Sequence, residues 1–242
     1  MYHIQRGLRC AAALVCALAL AACTMPGLPG SSQSVVSIER PAVTSVELQF
    51  SHPAAGDTIA VFDTSAGEVR AVLFPDEAPQ ACDNFIGLAQ AGYYNGLTIT
   101  RVEKDFLVEA GQGADGKATT IWNGSRYPIE TTDKLHHYAG ALCAATDASG
   151  SCASVFYVVQ SLPGAVEQGL IDQMNSNGWR ADVVSAYQTA GGAPYLDYTD
   201  TVFGQVYAGM DIVDAIAQTA VDENQKPVEA ITINSVTITT YA

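Results

Sequence analysis

The pattern of apolar and polar residues divides this 242-residue chain into three parts. Residues 11–20 form a continuous apolar run of about ten residues, which is the length of a signal-peptide core and too short to span a bilayer. Residues 24–56 are rich in Pro, Gly, Ser and Thr and show no sustained periodicity before residue 43, so a flexible tether is predicted over 23–56. The remainder, residues 57–242, has the length of one domain with a single core.

Short β-rich runs dominate this domain. The runs at 58–63 and 69–74 flank Thr64-Ser65-Ala66-Gly67, a turn signature that predicts a hairpin. Pro79 precedes apolar residues at helical spacing that end before Gly92, which predicts a helix over 80–90. Further strands are expected over 98–102, 106–110, 139–145, 155–159 and 231–239 and from 201 onward, with a second helix over 210–217. The pattern favours a mainly β domain, a closed barrel capped by helices, although the pattern alone does not separate a barrel from a sandwich.

Residues 161–193 carry a different, amphipathic pattern. Leu170, Ile171 and Met174 precede a second apolar set that follows Trp179, with a break at Asn177-Gly178, so two short helices are predicted. Two interpretations fit this segment: a solvent-facing helical hairpin with a small core of its own, or a lid that contributes to specificity.

The N-terminus has the features of an export signal. Arg6 and Arg9 precede the apolar run, which ends in Leu20-Ala21-Ala22-Cys23. This ending resembles the lipobox of bacterial lipoproteins, in which the cysteine is diacylated and becomes the new N-terminus. We therefore expect a signal peptide over 1–22, lipidation of Cys23 and an extracytoplasmic protein anchored to the bacterial membrane. The alternative is an ordinary signal peptide with a chance cysteine.

The charge of the chain argues against two classes of partner. Cleavage before Cys23 would leave 9 basic and 25 acidic residues and would move the formal net charge from −14 to −16. A strongly acidic chain with scattered Lys and Arg lacks the basic face that nucleic acid or anionic lipid requires. The acidity is typical of a soluble exported domain.

The cysteines of the domain do not form a metal-binding pattern. Cys82, Cys143 and Cys152 lack the short paired spacings of a zinc site and have no accompanying histidine pair, so no metal or other cofactor is expected. Cys143 and Cys152 could form a disulfide in an exported protein, or could stay free. Cys82 is predicted to be a small buried apolar residue of the first helix.

Three segments together resemble the cyclophilin family of peptidyl-prolyl cis–trans isomerases. The first segment covers 74–79 and continues with Asn84-Phe85 and 92–97. The second covers 100–106. The third covers 200–206 and continues with 209–214. The resemblance covers nearly all of 58–239 apart from the insertion at 161–193. It implies an eight-stranded antiparallel barrel with two capping helices, and isomerase activity on proline-containing peptides or unfolded exported proteins. We expect a monomer.

Isomerisation of an X–Pro bond defines what such a site needs. The amide resonance gives a barrier of about 18–20 kcal/mol, and no covalent bond is made or broken. A catalyst needs a cationic donor aimed at the prolyl nitrogen and an apolar slot for the ring. Arg101 is the candidate donor, because it matches the catalytic arginine of the family in Thr100-Arg101-Val102 and its planar guanidinium can be held by a neighbour. An isolated arginine on a strand would otherwise be taken as a surface residue.

The resemblance assigns the other site residues. Phe106 and Leu107 match the floor of the proline slot, Tyr157 matches an aromatic wall, and Ala145 and Thr146 match the positions that offer backbone groups to the substrate. Composition alone would equally allow Phe106, Leu107 and Tyr157 to be ordinary barrel core. The remaining substrate-binding positions are Glu109, Tyr195, Leu196 and Asp200.

Several of these positions depart from the usual family residues. Departures occur at Thr100, Glu109, Thr146, Val155, Tyr195 and Asp200. A carboxylate at Glu109 could orient Arg101 or compete with the substrate for it, and Val155 removes a side-chain amide near the arginine. We therefore expect a weaker or narrower isomerase. The alternatives are a binding module for proline-containing segments or a partner protein, and a purely structural envelope protein. His136 and His137 are predicted to be structural, because the sequence suggests no partner carboxylate for them.

Overall fold

The computed structural model describes residues 35–242. The predicted signal peptide and Cys23 lie outside the described residues. Within residues 35–242, no helix combines the length and apolar character needed to cross a membrane. The helices are α1 (Pro79–Gln90), α2 (Gln168–Ser176), α3 (Ala181–Ala190) and α4 (Met210–Ala217). The strands are β1 (Thr58–Thr64), β2 (Gly67–Leu73), β3 (Arg101–Glu103), β4 (Leu107–Ala110), β5 (Tyr127–Pro128), β6 (Ala141–Thr146), β7 (Ser151–Val159), β8 (Thr201–Ala208) and β9 (Ile233–Thr240).

All nine strands form one antiparallel sheet. The order is β3-β4-β7-β6-β8-β2-β1-β9, and the short β5 pairs with β7 outside this path. The predicted hairpin is confirmed: β1 and β2 pair from Ile59–Val72 to Thr64–Gly67. The Thr64 hydroxyl closes the turn by accepting hydrogen bonds from the backbone N–H groups of Ala66 and Gly67.

The prediction of a closed eight-stranded barrel is wrong. The sheet curls but stays open, with β3 and β9 at its two edges. Contacts outside the strand ladders join the edges over a short stretch: an isolated bridge at Thr98–Thr232, and backbone hydrogen bonds of 2.8–2.9 Å that connect Gly96, Leu97 and Ile99 with Ile231 and Ile233, and Val102 with Gln225. Beyond this stretch β3 turns to pair with β4 and β9 turns to pair with β1, so no continuous ladder closes the ring.

Helices α1 and α4 cover one face of the sheet, as the sequence predicts for two capping helices. Pro79 is the first residue of α1, and the Glu130 carboxylate accepts hydrogen bonds from the N–H groups of Gln80 and Ala81 at the start of this helix. Phe85 of α1 contacts the rings of an aromatic cluster on the sheet, in which the ring of Phe203 is 5.3 Å away. We call this apolar layer between the sheet and the two helices the inner core; it includes Phe62, Cys82, Phe85, Tyr94, Phe156, Phe203 and Val213.

A second apolar cluster lies on the opposite face of the sheet. We call it the outer core; its buried members are Ile59, Val72, Phe74, Leu107, Leu135, Ala141, Cys143, Tyr157, Val159 and Val202. Alternate residues of a strand point to opposite faces, which is why Phe156 and Tyr157 belong to different clusters. No α-helix of the described residues contributes a side chain to the outer core, and partly exposed residues such as Phe106 and Leu196 form its margin.

The structure distinguishes between a Cys143–Cys152 disulfide and free thiols. All three cysteines among residues 35–242 are free and buried. Cys143 pairs with Tyr157 and Cys152 pairs with Thr146, so the two cysteines are offset by three strand positions, roughly 10 Å. They also belong to different cores. A disulfide needs Cα atoms within about 7 Å and converging side chains, so this pair cannot form one.

The insertion contains the two expected helices, α2 and α3, separated by residues 177–180. They pack in a third cluster with Tyr138, and this cluster also takes Val43 and Phe50 from the N-terminal side of the domain. The helical hairpin therefore has a small core, but it is closed by other parts of the chain and does not stand alone in solvent.

Residues 35–50, which we call the N-terminal arm, contact the domain at several points. The backbone of Val36 exchanges two hydrogen bonds with the Gln218 amide, at 2.9 and 3.0 Å. Arg40 binds the buried Asp214 carboxylate through Nε and Nη2, at 3.0 and 2.6 Å. Farther along, the Gln49 side chain is buried and donates to the carbonyl of His136.

Candidate functional site

The strand register places the candidate catalytic residue beside the outer core. Arg101 of β3 stands opposite Glu109 of β4, Glu109 stands opposite Tyr157 of β7, and Tyr157 stands opposite Cys143 of β6. Residues directly opposite each other in neighbouring strands share a face of the sheet. Arg101, Glu109 and Tyr157 therefore form one row on the face that carries the outer core.

The slot residues predicted from the sequence come together next to this row. Leu107 and Tyr157 are buried members of the outer core, and Phe106, Ala145 and Leu196 pack against it while staying partly exposed. The result is an apolar surface whose floor is fixed and whose rim is open to solvent. A prolyl ring would match its chemistry, because the ring is apolar and carries no donor.

Tyr195 lies at the edge of this surface. Its ring centroid is 6.1 Å from that of Phe106, and the residue is 60 % exposed. Such a side chain can cover a bound peptide with its ring while its hydroxyl stays in water.

Arg101 is held by more groups than the sequence predicts. Its Nε donates to Gln225 Oε1 over 3.0 Å, its Nη2 contacts the Glu103 carboxylate, and its Nη1 lies 3.9 Å from Glu109 Oε2. Of these three partners, only Glu109 was predicted from the sequence. Glu103 lies two residues along the same strand and so on the same face, a signal that was available. Gln225 is 124 residues away, and no local pattern points to it.

The environment of Glu109 is partly apolar. Burial raises the pKa of this carboxyl above its ordinary value of 4.5, and Arg101 and the Thr100 hydroxyl counteract the rise. The predicted contact between Glu109 and Arg101 is present, but the Glu103 contact is closer.

The other predicted positions have polar roles within the protein. Tyr157 donates a hydrogen bond from its hydroxyl to Asp200 Oδ2 over 2.6 Å. Burial raises the pKa of Tyr157 well above the usual range, as do the neighbouring Cys143 and Asp200, so this phenol stays protonated and donates. The Thr146 hydroxyl lies 3.4 Å from the carbonyl of Thr199, which links β6 to the segment before β8.

His136 and His137 do have a carboxylate partner, contrary to the expectation from the sequence. Asp197 lies between them, with Oδ2 2.7 Å from His136 Nδ1 and Oδ1 2.8 Å from His137 Nδ1. Asp197 is 60 residues from His137 and only two residues from Tyr195, so sequence spacing gave no indication of the contact.

Among residues 35–242, no group of three or more His, Cys, Asp or Glu side chains is arranged to hold a metal ion. The groups that the described site offers to a substrate are the Arg101 guanidinium and the apolar slot beside it.

The chain is similar to known proteins over most of the described domain. The family described as cyclophilin type peptidyl-prolyl cis-trans isomerase/CLD matches residues 59–238. A Staphylococcus saprophyticus protein named "Putative peptidyl-prolyl cis-trans isomerase" is 37% identical over 182 residues, which cover 74% of this chain and 90% of the relative. A Staphylococcus aureus protein of the same name is 35% identical over 187 residues, covering 76% of this chain and 92% of the relative.

Solved structures share the fold. A Cryptosporidium parvum cyclophilin type isomerase, crystallised in the presence of the dipeptide Ala-Pro, superimposes with a TM-score of 0.59 at 20% identity. The match covers 76% of this chain and 99% of that structure. A second structure of the same protein gives a TM-score of 0.60 at 19% identity. The extent of the family match and the identity to the staphylococcal relatives together show that this chain belongs to the cyclophilin-type peptidyl-prolyl cis–trans isomerase family.

Proposed function

We propose that this cyclophilin isomerises X–Pro bonds in unfolded exported proteins while anchored to the outer side of a bacterial membrane through Cys23. The observation that carries the catalytic part is the row formed by Arg101, Glu109 and Tyr157, which sets a guanidinium beside an apolar slot. The location rests on the sequence around Cys23 and on the acidic charge of the chain.

The geometry supports a mechanism of charge stabilisation. A proline ring seated on Leu107 and Tyr157 would bring the prolyl nitrogen toward β3, where Arg101 stands at the edge of the slot. A guanidinium donor withdraws the nitrogen lone pair from amide resonance and so lowers the barrier to rotation. Arg101 keeps 37% of its side chain exposed, which leaves part of the guanidinium accessible to a substrate.

The carboxylates around Arg101 modify this mechanism. Glu103 and Glu109 both attract the guanidinium, and a substrate amide is a weaker partner than a carboxylate. We infer that catalysis is slower than an unobstructed arginine would allow. The same contacts support the second candidate function, a module that binds proline-containing segments with little turnover.

The experiment compares the full-length protein with Cys23→Ser in cell fractions and in a refolding assay. The wild type should be found in the membrane fraction and Cys23→Ser in the soluble exported fraction. Membrane preparations with the wild type should accelerate refolding of a protein whose slow phase is X–Pro isomerisation. Unchanged membrane association of Cys23→Ser would contradict the anchoring. Peptide binding without acceleration would favour the binding module.

A further inference from the structure

We propose that Asp197 is a positioning residue of the isomerase site, which fixes the substrate-binding turn and couples it to the inserted helices. The substrate-binding turn is the segment 194–200, which carries Tyr195, Leu196 and Asp200. The proposal rests on these residues binding the substrate, as proposed above, and it gives the insertion at 161–193 a role in that site.

The Asp197 carboxylate is surrounded by donors from three residues in two parts of the chain. Oδ1 accepts from the backbone N–H of His137 at 2.9 Å and from His137 Nδ1 at 2.8 Å. Oδ2 accepts from His136 Nδ1 at 2.7 Å and from the Tyr187 hydroxyl at 2.9 Å. An ionised carboxylate only accepts, so both imidazole Nδ1 atoms carry the proton in these contacts.

This carboxylate is buried and depends on those donors. Its side chain is 2% exposed, and burial alone would raise the pKa of Asp197; the hydrogen bonds from His136 and His137 instead lower it below its ordinary value. A buried charge with four donors has one well-defined position, because any displacement breaks a strong hydrogen bond. Asp197 therefore anchors the middle of the turn.

The anchor is directly connected to the slot. Leu196 precedes Asp197 and packs against the outer core, and Asp200 follows three residues later and accepts the Tyr157 hydrogen bond. The His137 ring, which holds Asp197, lies nearly parallel to the Tyr157 ring at a centroid distance of 6.5 Å. Movement of Asp197 would therefore be transmitted to both sides of the slot.

Backbone geometry supports the same conclusion. Tyr198, next to Asp197, has φ of 68°, in the left-handed region that a residue with a Cβ rarely adopts. Such a conformation persists only where the surroundings fix the chain. The Asp197 contacts on one side and the hydrogen bond from Asp200 N to Leu196 O on the other supply that restraint.

The link to the insertion is Tyr187. It lies on α3, is fully buried, and packs against Tyr138 with ring centroids 4.5 Å apart. Burial raises the pKa of Tyr187, so its hydroxyl stays protonated and donates to Asp197. Arg180, just before α3, contacts Glu47, whose other carboxylate oxygen lies 3.6 Å from His136 Nε2. The insertion thus reaches the anchor directly through Tyr187, and it packs near the histidine through Glu47.

A positioning role and a purely structural role predict different kinetics. If the anchor only stabilises the fold, its loss lowers the melting temperature and leaves the folded enzyme unchanged. If it positions the turn, its loss weakens substrate binding in the folded enzyme. Arg101 does not lie on the turn, so KM should change far more than kcat.

The experiment measures KM and kcat for a proline tetrapeptide by NMR exchange in the full-length chain, well below the melting temperature. Tyr187→Phe removes one donor to Asp197 and should raise KM by about threefold, because one hydrogen bond is lost without a change of shape. Asp197→Asn should raise KM by about tenfold or more, because an amide cannot accept from all four donors. In both variants kcat should stay within about twofold of the wild type.

The matched control is Tyr94→Phe. It removes the hydrogen bond from a buried tyrosine to the carbonyl of Ser154 in the inner core, away from the substrate-binding turn. The control should lower the melting temperature and leave KM unchanged. If Tyr187→Phe behaves like Tyr94→Phe, the proposal is wrong, and this result decides the matter even where Asp197→Asn does not fold.

Failure of catalysis would be distinguishable from failure of this proposal. If the wild type binds the peptide without turnover, the same variants are compared by the Kd of the tetrapeptide. A weaker Kd in Tyr187→Phe but not in Tyr94→Phe supports positioning by Asp197. An equal Kd in all three proteins overturns it.

Discussion

The Tyr157 hydroxyl donates a 2.6 Å hydrogen bond to Asp200 and so connects the buried wall of the slot to the segment that leads into β8. We predict that Tyr157→Phe keeps the aromatic surface of the slot and loses this bond. The free energy of unfolding should fall by about 1.5–3 kcal/mol, because hydrogen bonds to charged groups contribute this much. Peptide affinity should change by less than about twofold. Urea denaturation and peptide titration measure the two effects; Tyr157→Ala, which removes the ring, should weaken both.

Arg101 should be indispensable for catalysis and dispensable for folding. We expect Arg101→Ala to remove most of the rate acceleration, at least about 100-fold in kcat/KM, while the circular dichroism spectrum is unchanged. Arg101→Lys should recover only part of the rate, since an ammonium lacks the planar donor pair. Equal activity of all three proteins in an isomerase assay would show that another group performs the catalysis.

The two carboxylates near Arg101 should act as inhibitors of the reaction. Glu103→Gln should raise kcat/KM by about tenfold, which corresponds to roughly 1.4 kcal/mol of transition-state stabilisation. Glu109→Gln should give a smaller rise, because Glu109 lies farther from the guanidinium than Glu103 does. If these carboxylates instead orient Arg101 productively, both substitutions will lower kcat/KM.

The same contact makes activity depend on pH. Because burial raises the pKa of Glu109, this group becomes protonated and releases Arg101 at a higher pH than an ordinary carboxyl would. The kcat/KM of the wild type should therefore rise as the pH falls through that raised pKa, and the rise should be smaller in Glu109→Gln. In the window between the raised value and 4.5 the folded state binds more protons than the unfolded state, so this group also favours folding as the pH falls.

The N-terminal arm should contribute to stability through one buried ion pair. Arg40 binds Asp214, whose side chain is 3% exposed, so Arg40→Gln leaves a buried carboxylate with weaker partners. We expect a loss of about 2–3 kcal/mol in the free energy of unfolding. Arg70→Gln is the matched control, since the Arg70–Glu68 pair is about half exposed and its loss should have no measurable effect. Similar unfolding curves for both variants would show that the arm is not a stabilising element.

The three cysteines of the domain should be unreactive in the folded protein. Burial raises the pKa of the Cys82 thiol to about 12 and also raises the pKa values of Cys143 and Cys152, so little thiolate forms at neutral pH. Mass spectrometry of the unreduced protein after treatment with a thiol reagent should show no modification of these residues, whereas treatment in urea should label all three. A Cys143–Cys152 bridge in the unreduced sample would contradict the observed strand register.

Local patterns predicted most of the fold. The hairpin of β1 and β2 depends on a four-residue turn, and α1 depends on a proline and on apolar residues at helical spacing, so both could be identified along the chain. Closure of the sheet could not be identified this way. Closure depends on whether the residues near 98 and 232 pair along a full ladder. In the structure they form one isolated bridge and no ladder.

In the candidate site, too, residues close together in sequence could be predicted and contacts between distant residues could not. Arg101, Phe106 and Leu107 lie within seven consecutive residues, so the resemblance of one short segment assigned all three. The groups that hold this site in place are distant in sequence: Gln225 contacts Arg101 across 124 residues, and Asp197 contacts His137 across 60. Such pairings arise from topology, and no periodicity of a single segment carries them.

The contacts of the N-terminal arm with the domain limit how far the domain can lie from the predicted lipid anchor. With Cys23 as the predicted lipid anchor, only 13 residue steps separate the membrane from Val36, whose backbone is fixed to Gln218. A fully extended chain advances at most about 3.6 Å per residue, so the distance from Cys23 to Val36 is at most about 47 Å. A tether that ran free to residue 56 would reach more than twice as far. If Cys23 is lipidated as proposed, the slot can lie no farther from the lipid than this length plus the diameter of the domain.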